Sequence, residues 1–258
     1  GLAACIFVSV SLGIAPGGSY EENGEFRWGP VTISAKDRNF VSGWAAWNFT
    51  GYESRAEFPT YESLVQTMKE VGKDVGCGRA LWEYDRDELG SYGTPMAPML
   101  LPYWTDGCIG SMEGLYFESS ATVPFHFLMQ SELSANPSRP MRGLDYRGLD
   151  LESGIRHMQL SGVRYYLAFS SDAVQEAEQY PDQLALIARS DPWRIYLVAN
   201  SELVEGLKFE PNVVAQGDLG GREWTDPAMV WFNDPIRSQV TVTDGGPDDW
   251  HRININES

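Results

Sequence analysis

Apolar positions along the chain fall into blocks whose spacing changes from one block to the next. Residues 2–15, LAACIFVSVSLGIA, are uncharged and are followed by Pro16-Gly17-Gly18 and the acidic pair Glu21-Glu22. Between 60 and 75, Tyr61, Leu64, Val65, Met68, Val71 and Val75 recur at three- and four-residue steps, which predicts an amphipathic helix started at Pro59-Thr60 and stopped at Gly76. Residues 79–84, RALWEY, follow as a strand, and 99–104 form a second apolar run that reads as a strand in which Pro102 marks either a sheet edge or the strand's end. A short helix is predicted at 125–133. Asp150 is placed to cap a helix over 151–161 that Gly162 ends, and 163–169 continue at once as a strand. Residues 172–180 read as helix, and 184–189 with 193–199 as a hairpin turning at Ser190-Asp191-Pro192. Residues 105–148 read otherwise as long loops, and 211–247 as short strands and turns, with alternation clearest at 239–243.

The twice-repeated order of helix, glycine stop and strand predicts an α+β fold: a layered mixed sheet with a few helices and a β-rich C-terminal segment. The expected organisation is an N-terminal helix end over 1–16, an α/β domain over 17–205 and an incomplete β-rich segment over 206–258.

The uncharged leader bears most on function. A bilayer span needs about 20 apolar residues, so 2–15 reads best as the outer end of a transmembrane helix whose first half lies upstream. A trimmed signal peptide, lacking its basic start, and a buried core strand are the alternatives. The first two place the rest of the chain outside the cytoplasm. A net charge of −17, from 36 acidic against 19 basic residues, excludes a phosphate-tracking nucleic-acid binder and disfavours docking on anionic lipid.

Of three cysteines, Cys5 lies in the leader, which leaves Cys77 and Cys108 as a pair. In an oxidising compartment they are expected to form a disulfide, with two buried thiols as the alternative. No metal site is expected, because His126, His157 and His251 show no clustered ligand spacing. His157 reads as a surface or capping histidine. Asp244, Asp248 and Asp249 read as a tight acidic turn rather than a calcium loop.

Three long segments carry a resemblance: GCGRALWEY from 76, the run from LPYWTDGCIGSMEGLYFESS through PFHFLMQSELS, and GIRHMQLSGVRYYLAFS. They resemble the extracytoplasmic part of YfhO-like polytopic bacterial membrane proteins, a group whose actinobacterial members are labelled 6-pyruvoyl-tetrahydropterin synthase-related. The resemblance implies a glycosyltransferase-C-like parent in the cell membrane that transfers sugar from a polyprenyl-phosphate donor, with a divalent metal. It implies no catalytic residue in this chain, since the acid of that superfamily lies on an early outer loop that is not part of this sequence. The expected role is therefore non-catalytic recognition of an acceptor or glycan, with the N-terminal helix in the membrane and no cofactor of the domain's own.

Glycan recognition needs flat rings to stack on sugar faces and carboxylates to accept hydroxyl hydrogens. The densest such stretch offers Trp104, Asp106, Glu113, Tyr116 and Glu118, with His126 within reach of a fold-back, and Trp44 and Trp47 form a second aromatic group. The competing reading makes these loop carboxylates and core aromatics around a disulfide. Two other functions fit the same composition: a secreted carbohydrate-binding module, and an acidic glycoside hydrolase, which needs two carboxylates facing each other across a cleft.

Overall fold

The structure, a computed structural model, describes residues 1–11, 13–21, 25–33, 53, 55–113, 120, 122–204, 212–214, 225–234 and 241–243. The chain divides into two compact units, Gly1–Pro59 and Thr60–Ser258. It is an α+β protein, as the alternation of patterns predicts.

In the first unit, α1 (Leu2–Ser11) is followed by a three-stranded antiparallel sheet of β1 (Ser19–Tyr20), β2 (Phe26–Trp28) and β3 (Val31–Ile33). Val10, Ala15 and Phe26 form its small core. A ten-residue helix falls short of the roughly 20 residues of a span. Among the described residues no helix is long and apolar enough to cross a membrane.

The second unit is built on a five-stranded sheet. Its elements are α2 (Phe58–Asp74), β4 (Gly78–Trp82), α3 (Arg86–Gly90), α4 (Leu101–Trp104), β5 (Ile109–Ser111), α5 (Val123–Glu132), α6 (Leu151–Leu160), β6 (Val163–Ala168), α7 (Ser171–Ala177), β7 (Leu184–Ser190) and β8 (Trp193–Val198). The strand order is β5-β4-β6-β8-β7. β4 runs parallel to β5 and β6, whereas β8 is antiparallel to both β6 and β7. Residues 206–258 contribute the parallel pair β9 (Asn212–Val214) and β10 (Thr241–Thr243), and also a helix, α8 (Thr225–Asn233), that the alternation did not reveal.

Helix α2 forms where its periodicity demands. It buries Tyr61, Leu64, Val65, Met68 and Val71 on one stripe, and Lys73 in its last turn complements the helix dipole. It lies across one face of the sheet: a Cβ on Gly72 would sit 2.8 Å from the Cys108 sulfur, and Ser63 bonds Ser190 near its other end. Tyr61 of this helix meets the Tyr92 ring at a tilt, and Tyr92 stacks on Trp193, whose Nε1 donates to Tyr92 Oη at 3.0 Å. The opposite face carries the main core, where Leu81, Tyr166, Ala168, Tyr196 and Val198 meet Met129 of α5, Leu133 directly after it, and Ile155 and Met158 of α6. The caps are local. Asp150 accepts from Ser153 N–H, and Asp85 accepts from Asp87 and Glu88 N–H at the start of α3.

One predicted element is corrected. Residues 99–104 are not a strand but a 3-10 turn, Ala97–Leu100, running into α4, and each carries a proline in its first turn. Pro98 and Pro102 stand where no helical N–H is required, so they start helical turns rather than end a strand.

Candidate functional site

The parallel strands β4, β5 and β6 all end on one side of the sheet, and buried polar groups including Glu83, His126 and Gln130 lie after their ends. Glu83, directly after β4, is 0% exposed. Its Oε2 accepts the Phe169 and Ser170 N–H groups, each at 2.9 Å, and Oε1 accepts Ala135 N–H at 3.4 Å. One carboxylate thus ties the end of β4 to the exit of β6 and to the segment after α5. Burial first, and then the Glu83 charge, push the Tyr166 phenol well above its ordinary value. It therefore stays a donor, bonding Leu133 O at 2.7 Å.

A second cluster forms where β5 ends. Glu113 Oε1 receives Gln130 Nε2–H at 2.8 Å and lies 2.9 Å from His126 Nε2. His126 and Gln130 stand four residues apart on α5, one turn of helix, so both face the same carboxylate. The side chains of Glu113 and His126 are 6% and 2% exposed. The arrangement holds a carboxylate and an imidazole against each other beneath the surface.

A third cluster joins α5, α6 and α8. His157 Nδ1 lies 2.5 Å from Glu132 Oε2, and Nε2 lies 2.7 Å from the Phe232 carbonyl oxygen. The imidazole stacks on the Phe232 ring at 3.8 Å between centroids. Since a carbonyl can only accept, Nε2 is the donor to Phe232 O. The surface or capping role expected of His157 is overturned: it is 2% exposed, because α8 covers the face of α6 on which it stands.

Beside this third cluster lies a cavity of about 400 Å³. Arg79 of β4, the end of β5, the first turn of α5, the last turn of α6 and Trp231 and Phe232 of α8 surround it. Arg79 Nη1 donates to Ser161 O at 2.5 Å and to Met112 Sδ at 3.5 Å. Among the described residues no carboxylate forms an ion pair with this guanidinium.

The sequence-selected residues separate. Glu113 and His126 come together at the C-terminal end of β5. Trp104 and Asp106 lie before the other end of that strand, next to the Cys77–Cys108 disulfide, whose Cα atoms are 4.6 Å apart. Trp104 Nε1 donates to Tyr61 Oη at 2.9 Å, and its ring meets Tyr103 edge-on at 4.8 Å. Asp106 is exposed in a left-handed turn with φ of 51°. Trp44, Trp47, Tyr116, Glu118, Asp244, Asp248, Asp249 and His251 lie outside the described residues. Among the described residues no three His, Cys, Asp or Glu side chains converge as metal ligands.

Sequence reading passed over Glu83, Arg79 and Tyr103. A glutamate ending the buried run Ala80-Leu81-Trp82 is a signal for the first, since a charge there must find donors. Comparison with family models, curated proteins and solved structures returned no match.

Proposed function

We propose that this chain is the extracytoplasmic domain of a multi-pass envelope membrane protein that transfers sugar from a polyprenyl-phosphate carrier, and that the domain recognises a glycan without reacting with it. The observation that carries the reading is the shoulder formed by α4 and the turn after it. Tyr103 is 71% exposed, its neighbour Trp104 supports it edge-on, and Asp106 stands exposed two residues further on. An exposed ring beside a carboxylate suits a sugar, whose apolar face stacks and whose hydroxyls donate. The shoulder is held in place: Trp104 bonds Tyr61, Thr105 Oγ1 donates to Leu101 O and accepts from Ile109 N–H, and the disulfide follows directly. A preset surface of this kind loses little conformational entropy on binding.

Two further features support the reading. The Cys77–Cys108 disulfide suits an oxidising compartment, and the uncharged N-terminal stretch suits membrane attachment. The buried carboxylates Glu83, Glu113 and Glu132 each serve as internal acceptors, which favours recognition over hydrolysis.

The test is titration with a panel of soluble envelope oligosaccharides, followed by tryptophan fluorescence and calorimetry. At least one is expected to bind saturably, with Tyr103→Ala and Asp106→Asn each weakening it about tenfold or more. Binding unaffected by both substitutions, or release of reducing sugar by the domain alone, would sink the proposal.

A further inference from the structure

We propose that the cavity beside α8 binds a small organic monoanion, an aromatic or alkyl body carrying one carboxylate. This site is separate from the Tyr103 shoulder and does not depend on the glycan reading.

Size and lining set the body of the ligand. About 400 Å³ lies within the roughly 300–1,000 Å³ of small-molecule sites. One wall is aromatic and already assembled: Phe125 meets Trp231 edge-on at 5.8 Å and Phe232 at 5.1 Å. Met112 and Leu160 extend the apolar surface. The wall does not have to form when a ligand arrives, because His157 holds the Phe232 carbonyl from behind. Preformed apolar walls keep the entropic cost of binding low.

The charge follows from Arg79. In a chain with 36 acidic residues against 19 basic ones, this cation lines a cavity with no described carboxylate paired to it. Its bonds to Ser161 O and Met112 Sδ both use Nη1 and orient the planar fork. A guanidinium fork matches a carboxylate in two parallel bonds. Ser111 also lines the cavity, and its Oγ accepts from Glu113 N–H, which leaves the hydroxyl proton as a neutral donor. One cation compensates one negative charge. A dianion such as a phosphate monoester would keep a surplus negative charge within a protein whose net charge is −17. A carboxylate is therefore favoured over a phosphate.

The probes are hydrocinnamate, its neutral amide and phenyl phosphate, titrated into the intact chain by calorimetry with Trp231 fluorescence in parallel. Hydrocinnamate is expected to bind at one site. The amide and the Arg79→Gln variant are each expected to bind about 10- to 100-fold more weakly through loss of the charge-assisted bonds, and Arg79→Lys is expected to retain part of the affinity. Leu160 is 37% exposed, so Leu160→Trp can fill the cavity from its rim without disturbing the core, and it should abolish binding at an unchanged urea midpoint. Near-UV circular dichroism of each variant reports folding. Equal binding of acid and amide, tighter binding of phenyl phosphate, no saturable binding of hydrocinnamate, or binding indifferent to Leu160→Trp would each overturn the assignment.

Discussion

Truncating Glu83 tests whether one buried carboxylate holds the exits of β4 and β6 together. Glu83→Ala removes an acceptor that takes two backbone N–H groups at 2.9 Å and a third, weaker one at 3.4 Å, in a position with no solvent exposure. Hydrogen bonds to a charged group contribute about 1.5–3 kcal/mol each. The two short ones therefore give a cost of roughly 3–6 kcal/mol, a large share of the 5–15 kcal/mol of a typical domain. Glu83→Gln keeps the shape and one acceptor oxygen for Phe169 and Ser170, but it turns an amide NH2 toward Ala135 N–H. Its cost should be about 1–3 kcal/mol. Urea unfolding followed through the buried Trp82 and Trp193 reads both values. At an m-value near 2 kcal/mol/M the alanine variant should lose about 1.5–3 M in midpoint. An alanine variant within about 1 kcal/mol of the parent, or a glutamine variant worse than alanine, would refute the reasoning.

Three other outcomes are expected. Reducing Cys77–Cys108, which are 31 residues apart, should cost about 3.7 kcal/mol in the chain-entropy account and lower Tm by roughly 7–15 °C, as read by calorimetry with and without phosphine reductant. His157→Ala leaves Glu132 buried without its partner and should cost about 3–5 kcal/mol, whereas Glu132→Leu combined with His157→Phe should recover much of that loss in a double-mutant cycle of urea midpoints. Burial works against the charged form of Asp85, but bonds from Glu88 N–H, Asn136 and Asp87 N–H outweigh it and hold the carboxyl below its ordinary value of 3.8. Its stabilisation is thus present above that value and lost as pH falls through the lower folded value. The deficit of about 1 kcal/mol expected for Asp85→Ala near neutrality should close in acid, as followed by thermal melts across pH.

Local signals made much of the scaffold legible. The stripe from Tyr61 to Val71, the cap at Asp150 and the turn at Asp191-Pro192 each specify an element without help from distant residues, and the structure places α2, α6 and the β7–β8 hairpin there. Residues 99–104 misled because an apolar run suits strand and buried helical turn alike, and Pro102 was read as confining a strand when it stands in the first turn of a helix. The candidate site was legible only in part. Glu113 and His126 were selected for density of chemistry, and the i, i+4 partner Gln130 that completes their cluster follows once α5 is known to be a helix. His157 could not be judged from α6 alone, since its environment comes from α8, 75 residues further along the chain. Glu83 and Arg79 acquire their roles from pairings between β4, β6 and the C-terminal ends of β5 and α6, which no short window of residues contains.

The hydrogen bond by which His157 holds α8 falls on a main-chain oxygen, alongside the stacking of its ring on Phe232. A peptide carbonyl is the same in every residue, so the bond itself places no demand on which side chains α8 presents. Exchanging Trp231 for another residue would reshape the recess and leave the fastening untouched. At Trp231 fastening and lining are thereby separated, so this position can vary and alter the shape of the recess while the architecture is kept.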